Sequence, residues 1–219
     1  MQVVKTVSIH VTGVLTVNVA APERGYVGLP VTVTANWNGI AVGPFQGLIK
    51  WGDGTQIEFT STAKSVTRDH TYSTSGSYTV TVSVSDEYTG AGGSGTAATT
   101  IAVQLSALLS ASPTSGVIPL AVTFTCSAAG GFLPYAWSLD PGDGSAPYTG
   151  TRPGEGPWTQ THTYTKLGTY AAKLTVTDAL GAAAVTRATS RVYAPPGLPS
   201  AAAILIPLVA GLALLGTGK

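Results

Sequence analysis

The sequence repeats one series of residues at two places along the chain. In each series a His is followed at +2 by Tyr, at +6 by Gly, at +8 by Tyr and at +16 by Asp. The first series runs from His70 to Asp86 and the second from His162 to Asp178. A Gly-Asp-Gly segment precedes each series, and its distance from the His differs by two residues between the copies. A match of this length predicts two modules of the same kind, which differ in a loop and agree in their strands.

Residues 78–84 and 170–176 give the clearest signal for secondary structure. Apolar and aromatic side chains occupy every second position there, and mainly Thr and Ser lie between them in the first copy. Such alternation is typical of a β-strand with one buried face. Neither copy shows a helical period, and the Gly-Asp-Gly segments favour tight turns. Each module is therefore predicted to be an antiparallel β-sandwich, and the chain to be all-β.

These motifs resemble those of the PKD (polycystic kidney disease) domain, an immunoglobulin-like β-sandwich. Residues 119–124 (Pro-Leu-Ala-Val-Thr-Phe) match the opening of the family pattern, and residues 135–137 (Tyr-Ala-Trp) match its aromatic pair. The first copy departs from the pattern, because Ile49 stands where the family has Trp and Trp51 follows in the next aromatic position. The resemblance covers about residues 15–193. It implies two tandem PKD domains and says little about function, because one fold hosts many functions.

We predict four regions along the chain. Residues 1–13 form an N-terminal extension with an extra strand, and residues 14–104 and 105–194 form the two PKD-like domains. Residues 195–219 form a Pro/Gly spacer and a hydrophobic tail that is predicted to be helical. Almost no linker separates the two domains, so we expect a semi-rigid rod. The glycine-rich residues 90–95 are predicted to be a long hairpin loop of the first domain.

Charge is sparse and balanced along the chain. Only 10% of the residues are charged, and 11 Lys and Arg face 10 Asp and Glu. Because phosphate neutralisation needs a basic face, this balance excludes a nucleic-acid binder. We expect no cofactor, and the single Cys126 excludes an internal disulfide and a cage of thiolates. We expect Cys126 to be a small strand residue on the face opposite Val122 and Phe124.

His70 and His162 are the side chains best suited by type to acid-base chemistry. Neither copy places a Ser or Cys nucleophile in a Gly-x-Ser-x-Gly turn, and both histidines occupy one position of a structural repeat. We therefore predict no catalytic residue, and a ring that bonds a neighbouring loop in each copy. Calcium binding is the alternative use of carboxylates at one end of a sandwich, since Ca²⁺ takes six to eight oxygens. The candidates are Asp140, Asp143 and Asp178, although an Asp between two glycines also forms turns.

Three regions are candidate partner-binding surfaces. The mostly alternating apolar pattern of residues 1–13 predicts a strand that either joins its own sheet or pairs with the edge of a neighbouring subunit. Tyr148 and Trp158 lie in an insertion and fit a contact set, although the position of Trp158 four residues before His162 favours an inward-facing ring. Residues 201–215 carry no charge and predict a membrane anchor or a helix packed within an assembly, with a segment folded back on its own sandwich as the least favoured interpretation. The terminal candidates are Val3, Val7, Ile9, Val11, Ile204, Leu205 and Leu208.

Together these features predict a non-catalytic structural or surface protein. The rod would be a subunit or decoration of a larger assembly, a virus particle or a cell-surface filament or layer, and would bind copies of itself or other subunits. We expect it on the extracellular face of a cell surface or virus particle, and residues 201–215 either contact a membrane or pack within the assembly. The alternative is a membrane-anchored surface adhesin or a carbohydrate- or protein-binding module, with or without a dependence on calcium.

Overall fold

The computed structural model describes residues 13–196, and all the regular secondary structure within them is β-strand. Eight strands build a first sandwich and eight build a second. The prediction of an all-β chain with two immunoglobulin-like sandwiches is therefore confirmed. The predicted extra strand at the N-terminus, up to its residue 12, and the predicted helix of the tail lie outside the described residues.

The first sandwich consists of strands β1 (Thr16–Ala20), β2 (Arg24–Tyr26), β3 (Pro30–Asn38), β4 (Phe45–Lys50), β5 (Gln56–Ser61), β6 (Ser65–Thr71), β7 (Gly76–Asp86) and β8 (Gly92–Ala102). A three-stranded sheet in the order β1-β3-β6 packs against a five-stranded sheet in the order β2-β8-β7-β4-β5. Neighbours are antiparallel except β2, which runs parallel to β8. Val80, Val82 and Val84 of β7 are buried between the sheets, as the alternation of this strand predicts.

The second sandwich repeats this topology with strands β9 (Ser106–Ser112), β10 (Ser115–Val117), β11 (Leu120–Ala129), β12 (Tyr135–Asp140), β13 (Tyr148–Arg152), β14 (Gly156–Tyr164), β15 (Gly168–Thr177) and β16 (Ala183–Tyr193). The smaller sheet has the order β14-β11-β9, and the larger has the order β10-β16-β15-β12-β13. Strand β10 runs parallel to β16, as β2 does to β8. Each sandwich has its own hydrophobic core.

The expected orientation of Cys126 was wrong. Val122, Phe124 and Cys126 are spaced by two residues on β11, so all three side chains point to the same face, and all are fully buried. Burial raises the pKa of the Cys126 thiol to about 11. Cys126 is therefore a core residue with little thiolate at neutral pH.

The expected long loop at residues 90–95 is also wrong in extent. The hairpin between β7 and β8 turns within residues 87–91, and the glycines from Gly92 onward belong to β8. A Cβ atom at Gly93 would lie 1.9 Å from the carbonyl oxygen of Leu15, and one at Gly95 would lie 2.3 Å from that of Val17. These glycines let the backbone of β1 pass directly against β8, which a larger residue would prevent.

Candidate functional site

The shared spacing of the repeat brings an Asp and a His together in the first sandwich. The Nε2 atom of His70 lies 2.7 Å from Oδ2 of Asp53, and it is the donor because an ionised carboxylate only accepts. Asp53 Oδ1 also accepts from the backbone N–H and the hydroxyl of Thr55, at 2.9 and 2.6 Å. The pair therefore fixes the Gly-Asp-Gly turn to strand β6.

Aromatic rings pack against the His of this pair. The His70 ring stacks on Trp51 with a centroid distance of 4.6 Å and meets the edge of Tyr72. The hydroxyl of Tyr72 donates to the carbonyl oxygen of Trp51 at 3.0 Å, and its ring stacks on Tyr78. Tyr72 is fully buried, so this bond satisfies a polar group inside the core.

The second sandwich builds the same cluster with one change. His162 Nε2 lies 2.8 Å from Asp143 Oδ2, and the Tyr164 hydroxyl donates to the carbonyl oxygen of Pro141 at 2.8 Å. Pro141 replaces the Trp that flanks the His in the first copy. Tyr148 takes over that flank, with its hydroxyl 3.1 Å from His162 Nδ1 and its ring edge-on to the imidazole.

The electrostatics of the two clusters agree. Burial acts to raise the pKa of Asp53, but hydrogen bonds from Thr55 and His70 outweigh it and lower the pKa to about 2. Asp143 has a pKa of about 2 for the same reasons, with Ser145 and His162 as donors. Burial, followed by the nearby carboxylates, raises the pKa of Tyr72 and Tyr164 to about 12. Each cluster therefore holds an ionised Asp and a neutral Tyr at neutral pH.

In both copies the His-Asp pair can hold the Gly-Asp-Gly turn in place, because each histidine bonds the Asp of that turn. In the second copy both ring nitrogens have partners, since Nε2 faces Asp143 and Nδ1 faces Tyr148. This is the fold role that the repeat predicts for His70 and His162.

A shallow cavity of about 580 Å³ lies over strands β4, β5 and β7. Short polar side chains such as Thr60, Ser83 and Ser85 line it, and Glu58 is its one ionisable lining residue. A single carboxylate without a partner acid or base fits neither a glycosidase pair nor a nucleophile with its base.

The three calcium candidates do not come together. Asp143 is engaged with His162 and Ser145, and Asp140 accepts from the backbone N–H of Gly142 at 2.8 Å. Asp178 lies at the other end of the β12–β15 pair from Asp140. Asp140 pairs with Lys173, whereas Thr177, the residue before Asp178, pairs with Ala136. Within residues 13–196 no three His, Cys, Asp or Glu side chains form a group that could hold a metal ion.

The candidate partner residues fall into two groups. Trp158 packs against Trp137 and beneath the Arg152 guanidinium, and it lies opposite Cys126 on the core side of β14. Tyr148 is half-buried against His162. The terminal candidates, four in the N-terminal segment and three in the tail, lie outside the described residues. Binding at any of these positions stays a prediction.

The contact between the two sandwiches joins Asp178 to side chains that the sequence does not mark. The Tyr26 hydroxyl of the first sandwich donates to Asp178 Oδ2 of the second at 2.5 Å. The Tyr26 ring meets the edge of Phe132 at 5.5 Å, and the Arg24 guanidinium lies 5.2 Å above the same ring. Gly131 N–H donates to the carbonyl oxygen of Val103 at 2.8 Å. We call these contacts the junction.

The junction is built around a carboxylate that is ionised at neutral pH. Burial acts to raise the pKa of Asp178, but hydrogen bonds from Tyr26 and from the backbone N–H groups of Phe132, Leu180 and Ala182 lower it below its usual value. Burial and the bond to Asp178 raise the pKa of Tyr26 to about 12. A hydrogen bond from a neutral phenol to a carboxylate is of the stronger, charge-assisted kind.

Only half of the junction leaves a signal in the sequence. Asp178 is marked by its recurrence at Asp86. The position of Tyr26 on β2 corresponds to Val117 on β10, so the repeat gives no reason to select Tyr26.

Comparison with known proteins identifies the class of the second sandwich. The family model of the PKD domain matches residues 106–190, which confirms the predicted resemblance. The first sandwich lies outside that match, and its likeness to the second rests on the shared motifs and topology described above. A search of curated proteins found no match.

Solved structures with a similar fold include three kinds of modular protein. The PKD domain of a peptidase from a Thermoplasmatales archaeon is 26% identical over 39% of this chain and 91% of its own, with a TM-score of 0.35. Fibronectin(III)-like modules of Clostridium thermocellum CbhA are 15% identical over 82% of this chain and 95% of theirs, with a TM-score of 0.42. An I-band fragment of titin is 14% identical over 80% of this chain and 66% of its own, with a TM-score of 0.48.

Residues 13–196 contain no helix of the length and apolarity needed to cross a membrane.

Proposed function

We propose that the protein is a non-catalytic structural subunit, in which two sandwiches form a stiff rod within a larger assembly. The observation that carries this proposal is the junction. Tyr26, Arg24 and Phe132 fasten one sandwich to the next beside a linker of almost no length. Separate binding modules on a flexible chain need no such contact, whereas a spacer or building block does.

The use of the reactive side chains supports a non-catalytic role. Both histidines contact aromatic rings, both His-Asp pairs hold turns, and the Cys126 thiol is buried in the core. PKD-type and immunoglobulin-type sandwiches are typically structural or adhesive modules, and this chain uses its repeat residues in the same structural way in both copies.

The low charge of the chain fits a protein that packs closely against others. Only 10% of its residues are charged, and the net charge is +1, so neighbouring copies repel each other little. We place the assembly on the outer face of a cell or a virus particle, with copies of the chain or other subunits as partners. The uncharged residues 201–215 would either insert in a membrane or pack within the assembly.

The test is the mass of the native particle, measured by light scattering with and without detergent. A large mass that detergent leaves unchanged is the expected result. A particle that falls to monomers in detergent would favour the membrane-anchored adhesin instead, and a monomer under both conditions would contradict the proposal.

A further inference from the structure

Four large apolar side chains are exposed together at the N-terminal end of the first sandwich. They are Val14, Ile40, Val42 and Tyr88, with exposed fractions of 81%, 82%, 78% and 70%. The backbone N–H groups of Val42 and Tyr88 both bind the Asp86 carboxylate, and the backbone near Val14 lies against the turn before Ile40. We call this surface the head patch. Exposed apolar groups that gather at one site mark a contact surface.

Two residues of the head patch, Val42 and Tyr88, correspond to residues at the surface of the second sandwich that forms the junction. Val42 N–H donates to Asp86 Oδ2 at 3.0 Å, and Phe132 N–H donates to Asp178 Oδ2 at 3.0 Å. Tyr88 and Leu180 correspond in the same way through Oδ1 of the two carboxylates. Phe132 is the ring that Arg24 and Tyr26 of the preceding sandwich contact. In the second copy the end of another sandwich therefore packs on the Phe132 part of this surface, while Leu180 stays 46% exposed.

The opposite end of the molecule carries the counterpart of that covering surface. Ser115 and Val117 on β10 take the positions of Arg24 and Tyr26 on β2, because each short strand pairs in parallel with the last strand of its sandwich in the same register. Val117, Leu167 and Tyr193 are 36%, 56% and 44% exposed at this end. We call these three side chains the tail patch.

The differences between the two ends and the junction match each other. Where the junction sets the Arg24 cation over the Phe132 ring, the free ends offer Ser115 and Val42. The tail patch therefore lacks the cation and the head patch lacks the ring, so a contact between the two ends would leave no cation facing a missing ring.

The polar contact of the junction is replaced in the same paired way. Asp178 Oδ2 accepts one backbone N–H and the Tyr26 hydroxyl. Asp86 Oδ2 accepts two backbone N–H groups, from Val42 and from Gly43 at 2.7 Å, and so needs no hydroxyl from outside. The tail patch has Val117 at that position, which brings none. The two free ends are therefore complementary to each other by apolar contact.

We propose that the head patch of one copy docks on the tail patch of a second copy, in the arrangement that the junction uses within the chain. The proposal rests on the proposed structural function and names its contact. At the head patch Glu87 lies beside Tyr88 and the Lys64 ammonium donates to the carbonyl oxygen of Gly39 at 3.0 Å, so charges of both signs lie there and the apolar contact sets the direction of approach. A head-to-tail contact is heterologous, and it produces a filament or a closed ring.

Disulfide trapping in the full-length chain tests the contact. The double variant Val42→Cys/Val117→Cys places one thiol in each patch, and native Cys126 is buried and does not take part. The protein is oxidised mildly near 1 mM, about the effective concentration that a short linker provides within a chain. A ladder of covalent oligomers is expected, at a rate about tenfold above that of the control Val42→Cys/Val185→Cys, since Val185 is 53% exposed on the side of the sandwich.

Two further arms exclude other occupants of the head patch. Mixing the two single variants should give dimers of unlike chains, whereas dimers of Val42→Cys with itself at the same rate would indicate a head-to-head contact and overturn the proposal. The second arm measures whether the Val42→Cys thiol of the monomeric protein reacts with a maleimide. If it reacts only after residues 2–12 are deleted, the chain's own N-terminus covers the head patch, and this result would likewise overturn the proposal.

A charged variant separates this proposal from the proposed function. Ile40→Asp in the double-cysteine chain should slow ladder formation at least about tenfold, and the exposed position should leave the melting temperature unchanged. If the native assembly forms normally from Ile40→Asp/Val42→Asp protein, the contact proposed here is wrong and the structural function stands. If unmodified protein never assembles, both are wrong.

Discussion

Asp86 and Asp178 occupy the same position of the repeat, yet they bind different sets of donors. Asp86 accepts only from its own sandwich, through the backbone N–H groups of Val42, Gly43, Tyr88 and Thr89 and the Thr89 hydroxyl. Asp178 accepts three backbone N–H groups of its own sandwich and one hydroxyl of the other, from Phe132, Leu180, Ala182 and Tyr26. A carboxylate that closes a hairpin in one copy thus also joins two sandwiches in the other. Asp178 accepts three hydrogen bonds from its own sandwich and Asp86 accepts five, which leaves Asp178 an acceptor site for a neighbour.

The His-Asp clusters differ much less between the copies. Trp51 flanks His70 in the first, and Tyr148 flanks His162 in the second. The bond from Tyr72 or Tyr164 to a turn carbonyl is the same in both. The repeat is therefore maintained where it stabilises each sandwich and varied where the sandwiches meet.

The largest expected effect comes from the shared tyrosines. Tyr72→Ala and Tyr164→Ala each empty a fully buried ring site, and each should lower the free energy of unfolding of its own sandwich by about 3–5 kcal/mol. Chemical denaturation of the full chain measures this. The control Tyr88→Ala, at an exposed position, should change stability by less than about 0.5 kcal/mol. Unequal losses in the two copies would contradict their structural equivalence.

The two recurring aspartates should separate at the next level. Asp178→Asn should lower the stability of the second sandwich by about 1–3 kcal/mol and also loosen the junction, because a charged acceptor is lost. Asp86→Asn should destabilise the first sandwich and leave the junction intact. Thermal unfolding reports stability, and small-angle X-ray scattering reports the spread of end-to-end distances. An equal gain in flexibility from both variants would refute the distinction.

The sequence predicted those parts of the fold that depend on residues close together in the chain. Alternation along β7 and β15, together with the turn residues, depends on contacts close in sequence, and the sandwiches follow from it. The glycines of β8 were misassigned because their role depends on the close approach of β1, which local composition does not reveal. Tyr26 was missed because its partner lies in the other copy and its own position does not recur.

Acid should affect both copies to a similar and smaller extent. The pKa of Asp53 and of Asp143 is about 2 in the folded protein against an ordinary 3.8, so the stabilisation is complete above pH 3.8 and is lost as the pH falls towards 2. Each pair should contribute roughly 1–2 kcal/mol after allowance for its partial exposure to solvent. Unfolding free energy against pH measures it. Asp53→Asn/Asp143→Asn protein should show a flatter acid limb, and an unaltered limb would assign the acid sensitivity to other groups.

The smallest effect on stability should come from Tyr26→Phe, which isolates the junction from the sandwiches. The ring stays against Phe132 while the bond to Asp178 is lost, so each sandwich should change by less than about 1 kcal/mol. Scattering should nevertheless show a broader distribution of end-to-end distances, and Tyr88→Phe, whose hydroxyl is exposed, is the matched control.

Alkali should loosen the junction as the Tyr26→Phe variant does. The pKa of Tyr26 is raised from 10.0 to about 12, so the neutral phenol supports the junction fully below pH 10 and loses it as the pH rises towards 12. If the unmodified chain loosens between pH 10 and 12 and Tyr26→Phe protein is already loose at pH 7, the hydroxyl is what aligns the rod. If Tyr26→Phe protein stays rigid at pH 7, the Arg24 guanidinium over the Phe132 ring and the edge-on ring contact at position 26 suffice without the hydroxyl.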